Sequence, residues 1–137
     1  MQEIKGGCLC GNVRYESAEQ ALMSAACHCT HCQKQSGSAF SVNLIVPAAA
    51  FKVSGETLAT FNDVGTSGLP VMRHFCNNCG SPIHTELDAM PGVVVIKAGT
   101  LDDPSWVRPQ VNMWCSSAQP WVPMAEGIAR FEKSPPA

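Results

Sequence analysis

Val93-Val94-Val95-Ile96 is an unbroken run of four β-branched residues between Pro91-Gly92 and Lys97-Ala98-Gly99. Branched side chains lose rotamer freedom in a helix and pack well on a pleated surface, so the run predicts a strand. Being apolar on both faces, it belongs at the centre of a sheet. Working outward, short segments of similar character recur between Gly, Pro, Asn and Ser residues. They are Asn12–Glu16, Leu22–Ala26, Phe40–Val46, Phe51–Ser54, Leu58–Phe61, Val71–Phe75, Ile83–Glu86, Gln110–Trp114 and the full run Val93–Ala98. Helical signals are confined to Thr30–Ser36 and to Pro47-Ala48-Ala49-Ala50, where proline suits a first helical position. Asp102-Asp103-Pro104 reads as a turn. No segment keeps a helical apolar period over three turns. The pattern predicts a mainly β chain of two or more packed sheets.

The composition agrees. Only 15% of the 137 residues are charged, and eleven glycines and ten prolines supply many turns. That length, with 45% hydrophobic residues, suits one domain over residues 1–137 with an ordered core of about 4–131. Met1–Lys5 and Glu132–Ala137 read as loose ends. A net charge of −2 argues against nucleic acid or an anionic membrane surface as partner, since both require clustered Lys and Arg. No run approaches the roughly 18 apolar residues of a membrane span. The opening MQEIKGGCLCG lacks the apolar region of an export signal. A cytoplasmic, reducing setting is expected, where thiols serve metal binding or chemistry rather than disulfides.

Eight cysteines then become the main signal. Cys76-Asn77-Asn78-Cys79-Gly80 has the spacing of a zinc turn: two intervening residues bring both sulfurs to one metal, and glycine lets the chain reverse. Cys8-Leu9-Cys10-Gly11 can form a similar turn. Pairing these two motifs gives a closed site of four thiolates, Cys8, Cys10, Cys76 and Cys79, and leaves a third motif intact. The alternative is that Cys8 and Cys10 are simply buried small apolar residues. The third motif, Cys27-His28-Cys29-Thr30-His31-Cys32, offers three thiolates within six residues. Three ligands and one open position characterise a catalytic zinc, and a thiol is its natural fourth ligand. His31 or Cys115 could instead close that site, and the spacing does not choose between them.

Together these motifs resemble the glutathione-dependent formaldehyde-activating enzyme family, whose domain also occurs in centromere protein V. The similarity runs through Gly6–Tyr15, Cys27–Phe40, Phe75–Pro82, Lys97–Asp103 and Gln119–Trp121. It implies a β-tent of stacked antiparallel sheets with zinc-binding turns and two zinc ions per chain, the second one labile. Cys8, Cys10, Cys76 and Cys79 match the structural site, while Cys27, Cys29 and Cys32 match the catalytic one. The implied activity is that of a carbon–sulfur lyase, which forms or cleaves a thiol–aldehyde adduct such as S-hydroxymethylglutathione with glutathione as co-substrate. A non-catalytic, zinc-stabilised protein-binding module is the alternative, since fold alone does not fix function. A redox switch at Cys27 and Cys29 is a third reading.

Gln33, Lys34, Ser36 and Ser38 follow the second motif and are candidate glutathione contacts, against a reading of solvated charge and turn. His28 and His31 are candidates for proton transfer or simply satisfied histidines. His74 and His84 are read as structural, and Trp106, Trp114 and Trp121 as core. The segments Phe61–Pro70 and Leu87–Pro91 are expected to shape the pocket. Cys115 has no assigned role, and nothing in the pattern marks a subunit interface.

Overall fold

Strand β9, Val93–Lys97, occupies the interior of an eight-stranded sheet in a computed structural model that describes residues 2–134. In chain order the strands are β1 (Ile4–Gly7), β2 (Arg14–Ser17), β3 (Met23–Cys27), β4 (Ser41–Pro47), β5 (Phe51–Ser54), β6 (Leu58–Val64), β7 (Pro70–Cys76), β8 (Pro82–Leu87), β9, β10 (Val111–Met113) and β11 (Ala129–Arg130). The large sheet runs β11-β10-β3-β4-β9-β8-β7-β6, and β1-β2-β5 form a second sheet. The mainly β reading therefore holds. Among the described residues Thr30–Ser36 forms the one α-helix, α1, and Ala48–Ala50 makes a 3-10 turn. Among the described residues, no helix is long and apolar enough to cross a membrane.

The two sheets stack through one apolar core. Ile4, Val13 and Tyr15 from the small-sheet side pack with Leu44, Val46, Val94 and Ile96 of the large sheet. Strict alternation in β9 sends Val94 and Ile96 into this core and leaves Val95 and Lys97 on the opposite face. Pairing extends that division across the sheet. Cys27 lies opposite Ser41, Asn43 opposite Lys97, Val95 opposite Thr85, and Thr85 opposite Arg73. These residues share one face, and His84, which pairs with Ile96 and His74, belongs to the other.

Three expectations need correction. The sheets are not wholly antiparallel, because β10 pairs in parallel with both β3 and β11. It arrives by the long return from residue 98 to 110, and a parallel neighbour requires such a connection rather than a hairpin. The ends are also less loose than expected. Ile4–Gly7 is strand β1, with Ile4 buried, and the amides of Trp114 and Ser116 donate to the carbonyls of Lys133 and Glu132. Met1 and the final residues 135–137 lie outside the described residues. Finally, Trp106 packs on the core, but Trp121 is 69% exposed in the proline-flanked segment Pro120–Pro123.

β1 depends on the absence of a side chain at Gly6. A Cβ there would stand 2.2 Å from the Thr100 carbonyl oxygen and 2.4 Å from the Tyr15 hydroxyl. That hydroxyl is itself held by Thr100 Oγ1 at 2.7 Å. Gly6→Ala is expected to cost about 1–3 kcal/mol through overpacking. Thermal unfolding measures this, and an unchanged midpoint would show that β1 does not require the close approach.

Candidate functional site

Two chain reversals meet at the first thiol group. The amide of Gly11 donates to the Cys8 carbonyl at 3.1 Å and that of Gly80 to the Cys76 carbonyl at 2.8 Å. Both glycines sit at positive φ, 83° and 81°, as sharp reversal after each cysteine pair demands. The Sγ atoms of Cys8, Cys10, Cys76 and Cys79 all lie within 4.8 Å of one another. Cys8 to Cys10 is 3.5 Å and Cys10 to Cys76 is 3.7 Å. Four thiolates arranged tetrahedrally about 2.3 Å from one ion would stand about 3.8 Å apart. The donor set thus fits zinc in both chemistry and spacing. Cys10 is exposed, so the reading of Cys8 and Cys10 as buried apolar residues does not describe this turn.

Local donors prepare these sulfurs for ligation. The Val13 amide donates to Cys8 Sγ at 3.2 Å, and the hydroxyl of Thr57 lies 3.1 Å from Cys76 Sγ. Hydrogen bonds chiefly from Ser81 bring the Cys79 thiol down to about 5.

The second group forms where β3 runs into α1. Cys27 ends the strand, Cys29 caps the helix and accepts a hydrogen bond from the Cys32 amide at 3.2 Å, and Cys32 lies in the first turn. Their three Sγ atoms lie within 4.8 Å of one another. Among the described residues, no fourth His, Cys, Asp or Glu belongs to this group. His31 instead pairs with Asp63 Oδ2 at 2.7 Å, while the buried His28 ring meets Asn112 Oδ1 at 2.9 Å. Cys115 lies in a separate 3-10 turn, its amide donating to the Phe131 carbonyl.

Two buried cations border the three thiols, and neither was singled out from the sequence. Lys97 donates to Asn43 Oδ1 at 3.1 Å, and Asn43 donates to Ser41 Oγ at 3.0 Å. Arg73 donates to Asp63 Oδ2 at 2.9 Å. Cys32 is held well below the usual thiol range by hydrogen bonds from Cys27 and Cys29, reinforced by the Lys97 charge and Ser41. Cys27 is correspondingly pushed up, first by its hydrogen bond to Cys29 and then by the one to Cys32. Burial pulls Lys97 down, while the Cys32 charge works in the opposite direction. Burial also opposes the Arg73 charge, but its bond to Asp63 and the proximity of Cys32 outweigh that penalty. The local sequence signal was weak: a charged residue within a strand usually reads as solvent-facing, and the cross-strand register that brings these residues together is nonlocal.

The candidate glutathione contacts divide by hydrogen bonding. Gln33 Nε2 donates to the His28 and Ser117 carbonyls at 2.7 and 3.0 Å, and its Oε1 accepts from Gln119 at 2.8 Å. Ser36 Oγ donates to the Cys32 carbonyl at 2.7 Å and accepts from the Ser38 amide. These bonds fix the helix and its exit turn. Lys34 and Ser38 are exposed. Leu87–Pro91 does not border either thiol group; it lines a groove with Leu69, Met72 and Val94, on the far side of the sheet from Cys27. The segment after Phe61 does reach the second group, through Asp63 and its bond to His31.

Cysteine turns set on stacked β-sheets give the chain two thiol groups that could hold metal ions. A model of the family described as glutathione-dependent formaldehyde-activating enzyme matches residues 3–117. The chain belongs to that family. Three fungal relatives are provisionally named as such enzymes. The Talaromyces marneffei protein is 29% identical over 133 residues, covering 91% of this chain and 70% of its own length. The Podospora anserina protein is 25% identical over 117 residues, covering 80% and 53%, respectively. The Emericella nidulans protein is 28% identical over 81 residues, covering 59% and 40%. This chain thus spans 40–70% of the length of these curated relatives. A crystal structure of a Rhodobacter sphaeroides protein shares the fold at a TM-score of 0.59 and 20% identity, covering 93% of this chain and 99% of that one.

Two measurements test the division of labour. Native mass spectrometry is expected to find two zinc ions per chain, with a mild chelator taking one before the other. Cys29→Ser should remove the labile ion and leave the fold, whereas Cys76→Ser should lower the unfolding midpoint sharply; the opposite pattern would reverse the roles. Lys97→Met is expected to weaken metal binding at the three-thiol group by about 10–100-fold, a common effect of losing an outer partner. Competition against a chromogenic chelator reads that loss, and unchanged affinity would separate Lys97 from the site.

Proposed function

We propose that Cys27, Cys29 and Cys32 form the reaction site of a carbon–sulfur lyase-type enzyme acting on thiol–aldehyde adducts. The observation that carries this reading is a group of three clustered thiols with no fourth protein ligand beside it among the described residues. A zinc ion held there would supply the Lewis acidity that keeps an incoming thiol deprotonated. In this reading the chain binds two zinc ions, acts as a single domain in the cytoplasm, and uses Cys8, Cys10, Cys76 and Cys79 structurally.

The surrounding residues have distinct tasks. The Cys32 amide and the β3–α1 junction fix the relative positions of the three sulfurs. Lys97 and Arg73 place positive charge beside a group that carries up to three negative charges. Burial of both cations keeps that compensation from being screened by water. Exposed Lys34 and Ser38 are the available contacts for the carboxylates or amides of glutathione, while Gln33 and Ser36 hold the helix that presents them.

The reaction is an addition and its reverse. The thiol loses its proton, sulfur forms a bond to the aldehyde carbon, and the carbonyl oxygen gains a proton. No electrons are exchanged with an external partner. Proximity contributes most of the acceleration, because thiol and aldehyde already combine unaided.

NMR exchange measurements on glutathione and formaldehyde with zinc-loaded protein test the proposal. Wild type is expected to accelerate adduct exchange above the spontaneous rate. Cys29→Ser should reduce the acceleration by about 100-fold or more, since even outer-partner loss at a metal ligand costs 10–100-fold. Failure of glutathione to bind or exchange faster would favour the non-catalytic, zinc-stabilised module.

A further inference from the structure

Across the large sheet from the three thiols, β7 and β8 present a different donor set. His74 and His84 pair directly across the strands, and Glu86 follows His84 on the same face. The imidazole rings stack with centroids 4.2 Å apart and planes 16° apart. His74 Nε2 is 3.7 Å from Glu86 Oε2, and His84 Nε2 is 3.8 Å from Glu86 Oε1. One ligand-capable atom from each residue lies within 4.8 Å of the other two.

These contacts are too long to be hydrogen bonds, so they do not satisfy the ring nitrogens. His74 Nε2, the nitrogen nearest Glu86, is buried without a hydrogen-bond partner among the described residues; so is His84 Nδ1, although the His84 nitrogen near Glu86 is Nε2. The side chain of His84 is only 3% exposed. Leaving a buried polar atom unpaired costs about 1–3 kcal/mol, and here two occur in adjacent stacked rings. Thr60 Oγ1 lies 2.9 Å from His74 Nδ1, and accepting that N–H would turn the Nε2 lone pair toward Glu86. This outer-partner arrangement orients histidines that ligate metals.

We propose that His74, His84 and Glu86 form a third divalent-metal site, with two imidazole nitrogens and one carboxylate oxygen as ligands. Nitrogen and oxygen donors suit zinc and other late first-row divalent ions, and differ from the all-sulfur donors elsewhere in the chain. Tetrahedral bonds of about 2.0–2.1 Å place donors about 3.3 Å apart, so an ion would draw Glu86 in from the observed 3.7–3.8 Å and would require the stacked rings to fan apart until their in-plane lone pairs converge. Glu86 is 44% exposed and lines the groove containing Met72, Val94 and Leu69, which gives an ion a path from solvent. Residual coordination positions would face that groove. The site does not depend on the thiol–aldehyde reading, because it shares no ligand with either cysteine group.

Cobalt titration of protein loaded with two zinc ions per chain, one for each cysteine group, tests the site. Wild type should take up one further cobalt ion with visible d–d absorption and without the thiolate-to-cobalt charge-transfer band that exchange into a cysteine group produces. Glu86→Gln and His74→Gln should each weaken this uptake at least tenfold while retaining the zinc content of wild type. Added cobalt should also raise the unfolding midpoint of wild type but not of Glu86→Gln, whose half-exposed position allows the variant to fold. Absence of the extra ion in wild type, uptake insensitive to both substitutions, or a charge-transfer band with zinc release would overturn the proposal.

Discussion

The pairing of Asn43 with Lys97 across β4 and β9 determines which face each chemically important side chain occupies. Side chains alternate along a strand, so a shift of one residue would exchange the faces. In the observed register Leu44, Ile96 and Val94 seal the core, while Lys97 and Asn43 face the thiol side. Neighbouring strands inherit the same division. Cys27 and Arg73 share the face of Lys97, whereas His74 and His84 share that of Ile96. The sheet therefore keeps the three-thiol group apart from His74 and His84.

The four-thiol group acts on chain connectivity instead. Cys10 and Cys76 are 66 residues apart in sequence but their sulfurs are 3.7 Å apart. Joining such distant segments removes considerable freedom from the unfolded chain, and the benefit grows slowly with loop length. Metal binding at this junction would contribute directly to folding free energy. It would pin the loop after β1 against the turn between β7 and β8, next to the core residues Ile4, Val13 and Ile83. At the three-thiol group all ligands lie within one short segment, so binding there constrains little of the remaining chain. Sequence separation accounts for the different structural consequences of two sets of similar atoms.

Local patterns made much of this legible. Thr30–Ser36 and Phe51–Ser54 match the observed elements residue for residue, the first closed in the structure by local caps at Cys29 and Gly37 and the second a four-residue alternation. The two thiol groups were readable from spacing. β1 was not, because its Gly6-Gly7 pair has low strand propensity and its reason for being there, close approach to Thr100 and Tyr15, comes from elsewhere in the chain. The parallel β3–β10 edge was hidden for a similar reason: strand direction depends on a long return path. Lys97 and Arg73 carried no local mark of burial, since only register and the neighbouring thiols and carboxylate make a charge tolerable there. Leu87–Pro91 looked like part of a reaction pocket but belongs to the groove beside Glu86.

Asp63 adds a mechanical consequence. One of its oxygens, Oδ2, serves both His31 on α1 and Arg73 on β7. Helix α1 carries Cys29 as its cap and Cys32 in its first turn, while Asp63 belongs to the edge strand β6. A shared oxygen cannot retain both partners if they separate, so displacement of the helix must either break a contact or carry the edge hairpin with it. The hairpin thus works as a brace: stiffness at the sheet's margin is transmitted to the spacing of sulfurs on a different element.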